Sequence, residues 1–190
     1  MFIGATTSFL RQFENEVARD FGKEDAVFMP SGVMAQNIAL LIHSQKSKMT
    51  SSSSSSSSSA SALTSPLRFA CHHTSHLLLW EEHAYEQLLN MEVVEISTKD
   101  AAANGMHVPP MGYQDVSHCF HNIENEKSSK DDSSDVRDLS TLIIELPHRE
   151  LGGKLTPWND VLDIGKLCKE KGVKYHCDGA RIFEASAGYG

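Results

Sequence analysis

Along the chain, apolar positions alternate between a helical period and short unbroken runs. In "SFLRQFENEVARDFG", Phe9, Phe13, Val17 and Phe21 recur on one helical face, and Gly22 suits the end of that helix. "DAVFMP" is a short apolar run that predicts a buried strand. "SGVMAQNIALLIHS" follows, with Ser31 placed to cap a helix that buries Val33, Met34, Ile38, Leu41 and Ile42. "LRFACH" predicts a strand, and "SHLLLWEEHAYEQLL" a helix with one apolar side. "MEVVEIS" and "STLIIELP" are β-rich runs. "WNDVLDIGKLCKEKG" is amphipathic and closes at Gly172, and "VKYHCD" reads as the last strand. Short apolar strands alternating with helices predict an α/β fold of three layers, a mostly parallel sheet covered by helices on both faces. No internal repeat is visible.

Two segments interrupt this pattern. Residues 44–66 include nine consecutive serines, Ser51 to Ser59. Such a tract has little to bury against the entropy of ordering it and is expected to be a disordered insertion. Residues 124–138, "ENEKSSKDDSSDVRD", are charged and serine-rich and are expected to behave likewise. Neither carries a chemical motif.

Composition narrows the function classes. The net charge is −8, with no dense Lys/Arg stripe, which argues against nucleic acid as the main partner. No run approaches the roughly 18–20 apolar residues that span a membrane, and "MFIGATTSFLRQFENE" has no basic region followed by a long apolar one. Cys71, Cys119, Cys168 and Cys177 form no CxxC pair, so they read as reduced thiols of a cytoplasmic protein. His72 and His76 in "CHHTSH" have one helical metal-ligand spacing, but no second ligand cluster follows, so a zinc site is not expected.

In open parallel sheets, ligands sit at the carboxyl ends of strands. Four polar places then stand out: Ser31-Gly32, the "CHHTSH" turn, His148 and Asp178. A Ser-Gly turn opening a helix offers unpaired backbone N–H groups to a phosphate, although a plain helix cap explains the same residues. His76, at a strand-to-helix transition, can stack on a flat ring and exchange a proton near neutral pH, or simply pack at a helix start. Asp178 ends a strand, where a carboxylate needs compensation; a pyridinium N–H supplies it and keeps such a ring a good electron sink. Arg181 follows on the next turn and suits a carboxylate or phosphate, unless it pairs with Asp178.

Together, "FMPSGVMAQNIAL", "TSHLLLWEEHAYEQL", "IIELPHRELGGKLTP" and "VKYHCDGARIFEA" resemble, in order, the threonine aldolase / aromatic amino acid β-eliminating lyase family. "SFLRQFENEVARDFGKEDAVF" resembles that family's helix ahead of the phosphate loop. The resemblance implies a fold-type-I, aspartate-aminotransferase-like large domain, present in part over residues 1–190, with pyridoxal 5'-phosphate as cofactor. It implies that Ser31, Gly32 and Val33 cradle the phosphate and that His76 stacks on the ring. It places His148 near the substrate hydroxyl, Asp178 on the pyridine nitrogen, and Arg181 near the cofactor and the substrate carboxylate. His76 and His148 are the implied catalytic groups.

The expected reaction is cleavage of a β-hydroxy-α-amino acid to glycine and an aldehyde, in an enzyme that assembles as a homodimer or homotetramer. The chain departs from the family at Val33, where a threonine is usual, and at Glu145-Leu146-Pro147-His148, where Glu-Asn-Thr-His is usual. The family's Schiff-base lysine follows the Asp-Gly-Ala-Arg motif by a few dozen residues. No lysine of these residues matches it, so the 190-residue chain alone is expected to be inactive. Two other readings fit the same residues: a non-catalytic remnant that binds a partner or a phosphate ligand, and a β-eliminating lyase or aminotransferase of the same fold.

Overall fold

The computed structural model describes residues 8–50, 67–98, 108–129 and 139–190. The chain divides into two compact units, Met1–Ala35 and Gln36–Gly190.

In the first unit α1 spans Phe9–Asp20. Ser8 caps it by accepting the Arg11 N–H at 3.2 Å, and Gly22, at a φ of 60°, carries the chain out of the helix. Phe9, Phe13 and Phe21 are exposed, and the buried residue of α1 is Ala18. The strand expected over "DAVFMP" does not form. Glu14 of α1 accepts the Phe28 N–H at 2.9 Å, and Arg11 pairs with Asp25 at 2.9 Å. These side chains satisfy the segment in place of a strand ladder.

Helix α2 spans Gly32–Thr50. The expected cap is present, with Ser31 Oγ accepting the Met34 N–H at 3.2 Å. Its buried face differs from the expected one. Gln36, Asn37, Leu40 and Ser44 are buried, whereas Val33, Met34, Leu41 and Ile42 are exposed. A polar partner sets this rotation, because His176 donates its Nε2–H to Gln36 Oε1 at 2.8 Å. Residues 44–50 of the expected loop 44–66 therefore belong to α2, and 51–66 lie outside the described residues.

The second unit holds a four-stranded parallel sheet in the order β2-β1-β3-β4. Its strands are β1 (Arg68–His72), β2 (Glu92–Ile96), β3 (Leu139–Glu145) and β4 (Lys174–Asp178). Side chains alternate between two cores, as the strand period requires. Ala70, Leu142 and Ile144 pack with Val116 and Phe120 of α5 (Tyr113–Ser129), Val161 and Ile164 of α6 (Trp158–Lys171), and Ala185 of α7 (Ile182–Tyr189). Phe69, Cys71 and Ile143 pack on the other face with Leu40, Leu77 of α3 (His76–Trp80) and Tyr85 of α4 (Ala84–Leu89).

Two further expectations need correction. The helix predicted over 75–89 is split into α3 and α4, because Glu82 and His83 adopt positive φ. Helix α5 takes in residues 124–129 of the charged segment expected to be an insertion; 130–138 lie outside the described residues. Glu126 pairs with Arg68 at 3.1 Å and Glu124 with Lys171, so these charges have partners across the fold. The apolar period of α5 was present in the sequence as Val116, Phe120 and Ile123, all buried. Among the described residues no helix is long and apolar enough to cross a membrane.

Candidate active site

Three of the four singled-out places lie at the carboxyl ends of the adjacent strands β1, β3 and β4. Ser31, Gly32 and Val33 belong to the first unit, where they open α2; all three are exposed.

Glu145 and Asp178 end β3 and β4 in register, and the Leu146 N–H donates to the Asp178 carbonyl at 3.0 Å. Glu145 is buried, and both its oxygens serve backbone donors. Oε1 accepts the His76 N–H at the start of α3, and Oε2 accepts the Arg149 N–H at 3.3 Å. The carboxylate thereby fixes α3 to the turn that follows β3. A second fastening lies at the other end of α3, where Trp80 donates its Nε1–H to Glu150 Oε1 at 2.9 Å under the Arg149 guanidinium.

The His76 ring is about one-third exposed, and its Nδ1 is 3.5 Å from Glu81 Oε1. Glu81 is 5 % exposed, and its Oε2 has no hydrogen-bond partner among the described residues. Burial holds the Glu81 carboxyl above the ordinary carboxylate range; His76 opposes the shift, and the Asp178 and Glu145 charges add to it. Asp178 is half-buried and uses Oδ1 to accept the Ala180 N–H at 3.1 Å. Arg181 is exposed, and among the described residues it forms no ion pair with Asp178.

His148 is 3 % exposed. Its Nε2–H points at Thr74, and its Nδ1 lies 4.0 Å from Glu145 Oε2. The structure therefore gathers His76, Glu81, Glu145 and Asp178 and sets His148 behind Glu145. Glu81 and Glu145 were missed in the sequence. Glu145 ends an apolar strand as Asp178 does, so the same reasoning about a strand-end carboxylate identifies it. Among the described residues no three His, Cys, Asp or Glu side chains are grouped to hold a metal ion.

A parallel sheet with an imidazole, three carboxylates and a guanidinium at or next to its strand ends is the framework of an α/β enzyme that takes a small ligand beyond those ends. The chain belongs to the beta-eliminating lyase family, whose model matches residues 4–190. It is 27 % identical over 177 residues to the low specificity L-threonine aldolase of Saccharomyces cerevisiae, covering 93 % of this chain and 36 % of that protein. It is also 25 % identical over 175 residues to an uncharacterized Caenorhabditis elegans protein, covering 92 % of this chain and 34 % of that protein. A Listeria monocytogenes crystal structure, provisionally described as an L-allo-threonine aldolase, superposes with a TM-score of 0.64 at 28 % identity, over 92 % of this chain and 37 % of that one. The chain thus spans between a third and a half of the length of the relatives it matches.

Proposed function

We propose that this protein is a pyridoxal-phosphate-dependent carbon–carbon lyase that cleaves a β-hydroxy-α-amino acid to glycine and an aldehyde. The observation that carries this reading is the meeting of His76, Glu145 and Asp178 at the ends of β1, β3 and β4, in a chain similar to threonine aldolases over nearly its whole length.

The donor set fits the cofactor. Asp178 Oδ2 accepts no hydrogen bond among the described residues, and a pyridinium N–H is the donor such a carboxylate takes. Bound there, the cofactor supplies the electron sink for breaking a bond to Cα. The remaining work falls to side chains of this protein. His76, anchored through its backbone and part-exposed at its ring, stacks and carries the hydroxyl proton. Glu81 stands at its Nδ1 as the group that exchanges that proton. Arg181 offers a cation to the substrate carboxylate. His148, buried behind Glu145, is assigned to the substrate hydroxyl by sequence likeness alone. Ser31, Gly32 and Val33 are assigned to the phosphate by sequence likeness alone. The lysine that carries the cofactor is assigned outside these residues; Lys154, whose backbone bridges to His148, is engaged through Nζ with the Val108 carbonyl at 3.2 Å. The enzyme is proposed to work as a homodimer or homotetramer.

The test is to express the protein from its uninterrupted reading frame rather than as residues 1–190 alone, supply it with pyridoxal phosphate, and offer threonine, allo-threonine and phenylserine beside cysteine and alanine. Glycine and an aldehyde from the hydroxy amino acids support the reading. Pyruvate and sulfide from cysteine alone, or transamination of alanine, overturn it in favour of another enzyme of this family or fold.

A further inference from the structure

The "CHHTSH" segment is not used up by the site described above, because only His76 reaches it. Thr74 and His72 form a separate network that ends on His148. The Thr74 backbone N–H, which can only donate, points at His72 Nδ1 at 3.2 Å. That nitrogen therefore carries a lone pair, and the neutral His72 ring holds its proton on Nε2. The Thr74 hydroxyl, 2.9 Å from the same Nδ1, donates to it as well. With its hydrogen committed there, Thr74 Oγ1 turns lone pairs toward His148 Nε2 at 3.0 Å. The Thr74 carbonyl, which can only accept, lies 3.2 Å from the same Nε2. His148 Nε2 must then be the protonated nitrogen, and Nδ1 is bare in the neutral ring.

His72 can play this part only while it is neutral. It is 2 % exposed. Burial, with the neighbouring His148 and His73 imidazoles, drives its pKa down to about 3, against the Pro109 carbonyl, which favours the charged form. The His72 Nε2–H faces Thr98 Oγ1 at 3.5 Å, and Thr98 in turn donates to the Pro109 carbonyl at 3.2 Å. The His72 and His148 rings meet edge to face with centroids 4.8 Å apart. Every polar atom along this chain has a partner until His148 Nδ1. That nitrogen, which carries a lone pair in the neutral ring, faces Glu145 Oε2 across 4.0 Å. With the ring neutral, two acceptors face each other there, beside a crevice of about 10 Å³ lined by His72, Ser75, Glu145, His148 and Thr156. A single water needs about 10–15 Å³, so one donor molecule is what the gap has room for.

We propose that Thr74 and His72 are positioning residues for His148, fixing it as the Nε2–H tautomer and turning its bare Nδ1 toward Glu145 and the crevice between them. This rests on the functional reading only for its consequence on turnover; the tautomer stands apart from it. The chemistry assigned to His148 is that of a hydrogen-bond acceptor at Nδ1, aimed at a water or hydroxyl held between it and Glu145.

The experiment is long-range ¹H–¹⁵N correlation spectroscopy on the protein with ¹⁵N-labelled histidine, followed upward in pH until the imidazoles are neutral, with the cofactor and without it. His148 and His72 are expected to show protonated Nε2 and bare Nδ1, with shifts of single tautomers. Thr74→Val removes the hydroxyl and keeps shape. It is expected to broaden or average the His148 nitrogen shifts, because only the carbonyl then holds the ring. Thr74→Ser is expected to restore the single-tautomer pattern. In steady-state assays Thr74→Val should lower kcat about tenfold with KM nearly unchanged, and Thr74→Ser should recover it. A His148 protonated on Nδ1 in the unmodified protein overturns the proposal, whatever the variants do. So does an unaltered His148 spectrum in a folded Thr74→Val. Expected tautomers in a protein that carries the cofactor lysine and yet has no turnover overturn the functional reading and leave this one standing.

Discussion

Glu145 and Asp178 stand side by side at the carboxyl ends of β3 and β4, and the backbone joins them through the Leu146 N–H to the Asp178 carbonyl at 3.0 Å. The two carboxylates do different work. Glu145 spends both oxygens on backbone N–H groups, whereas Asp178 spends one, and its Oδ2 accepts no hydrogen bond among the described residues. Register sets them side by side, and their hydrogen-bond partners, two backbone N–H groups for Glu145 and one for Asp178, set them apart.

Substitution at Asp178 separates the two roles. Asp178→Ala should abolish turnover, and Asp178→Asn should lower kcat by at least about a hundredfold, through loss of a charge-assisted bond to a ring nitrogen. The thermal midpoint should move little, since among the described residues the half-buried side chain accepts a single hydrogen bond, from the Ala180 N–H. Parallel measurement of kcat and thermal unfolding checks this. Near-normal turnover in Asp178→Asn would remove Asp178 from the site.

Glu145→Ala should act on structure first. It leaves the His76 and Arg149 N–H groups without their acceptor. With two hydrogen bonds to a charged group lost, each worth about 1.5–3 kcal/mol, the loss in stability should be about 3–6 kcal/mol by urea denaturation. Amide exchange at His76 and Arg149 should quicken far more than at Leu142 in the centre of β3. Uniform exchange across the sheet would show that Glu145 does not fasten these two turns.

Acid stability should report His72. Its pKa falls from an ordinary 6.5 to about 3 on folding. Between those values the unfolded chain holds a proton there that the folded chain lacks, so unfolding gains on acidification, by up to about 1.4 kcal/mol per pH unit. His176, whose pKa burial also lowers, acts with the same sign. The urea midpoint should drop from pH 7 to pH 5, and His72→Gln should flatten that slope. Equal slopes in the two proteins would place the acid sensitivity elsewhere.

The core prediction concerns Leu142, which has no exposed surface and lies at the centre of the α5–α6 face. Leu142→Ala should destabilise the protein by about 2–5 kcal/mol through lost transfer energy and a residual cavity. Denaturant unfolding measures it. A change under 1 kcal/mol would mean that this face repacks freely.

The sequence by itself determined most of the alternation of strands and helices, the parallel sheet, and the polar residues that stand at its strand ends. It singled out His76, His148 and Asp178, because apolar period and strand-end polarity are local properties that a short window carries. It did not determine which side chains meet. Thr74 and His148 are 74 residues apart, and His76 and Glu145 are 69 apart; only the parallel pairing of β1 with β3 brings them within hydrogen-bond reach. The rotation of α2 was equally beyond local reading, since a partner on β4 selects the buried face that includes Gln36 over the more apolar one expected. "DAVFMP" has the composition of a strand but, beside Glu14 and Arg11, lies along α1 without a ladder. In each case an apolar pattern states that a residue can be buried, and the tertiary structure alone decides against what, because hydrogen-bond partners and strand register join segments far apart in the chain.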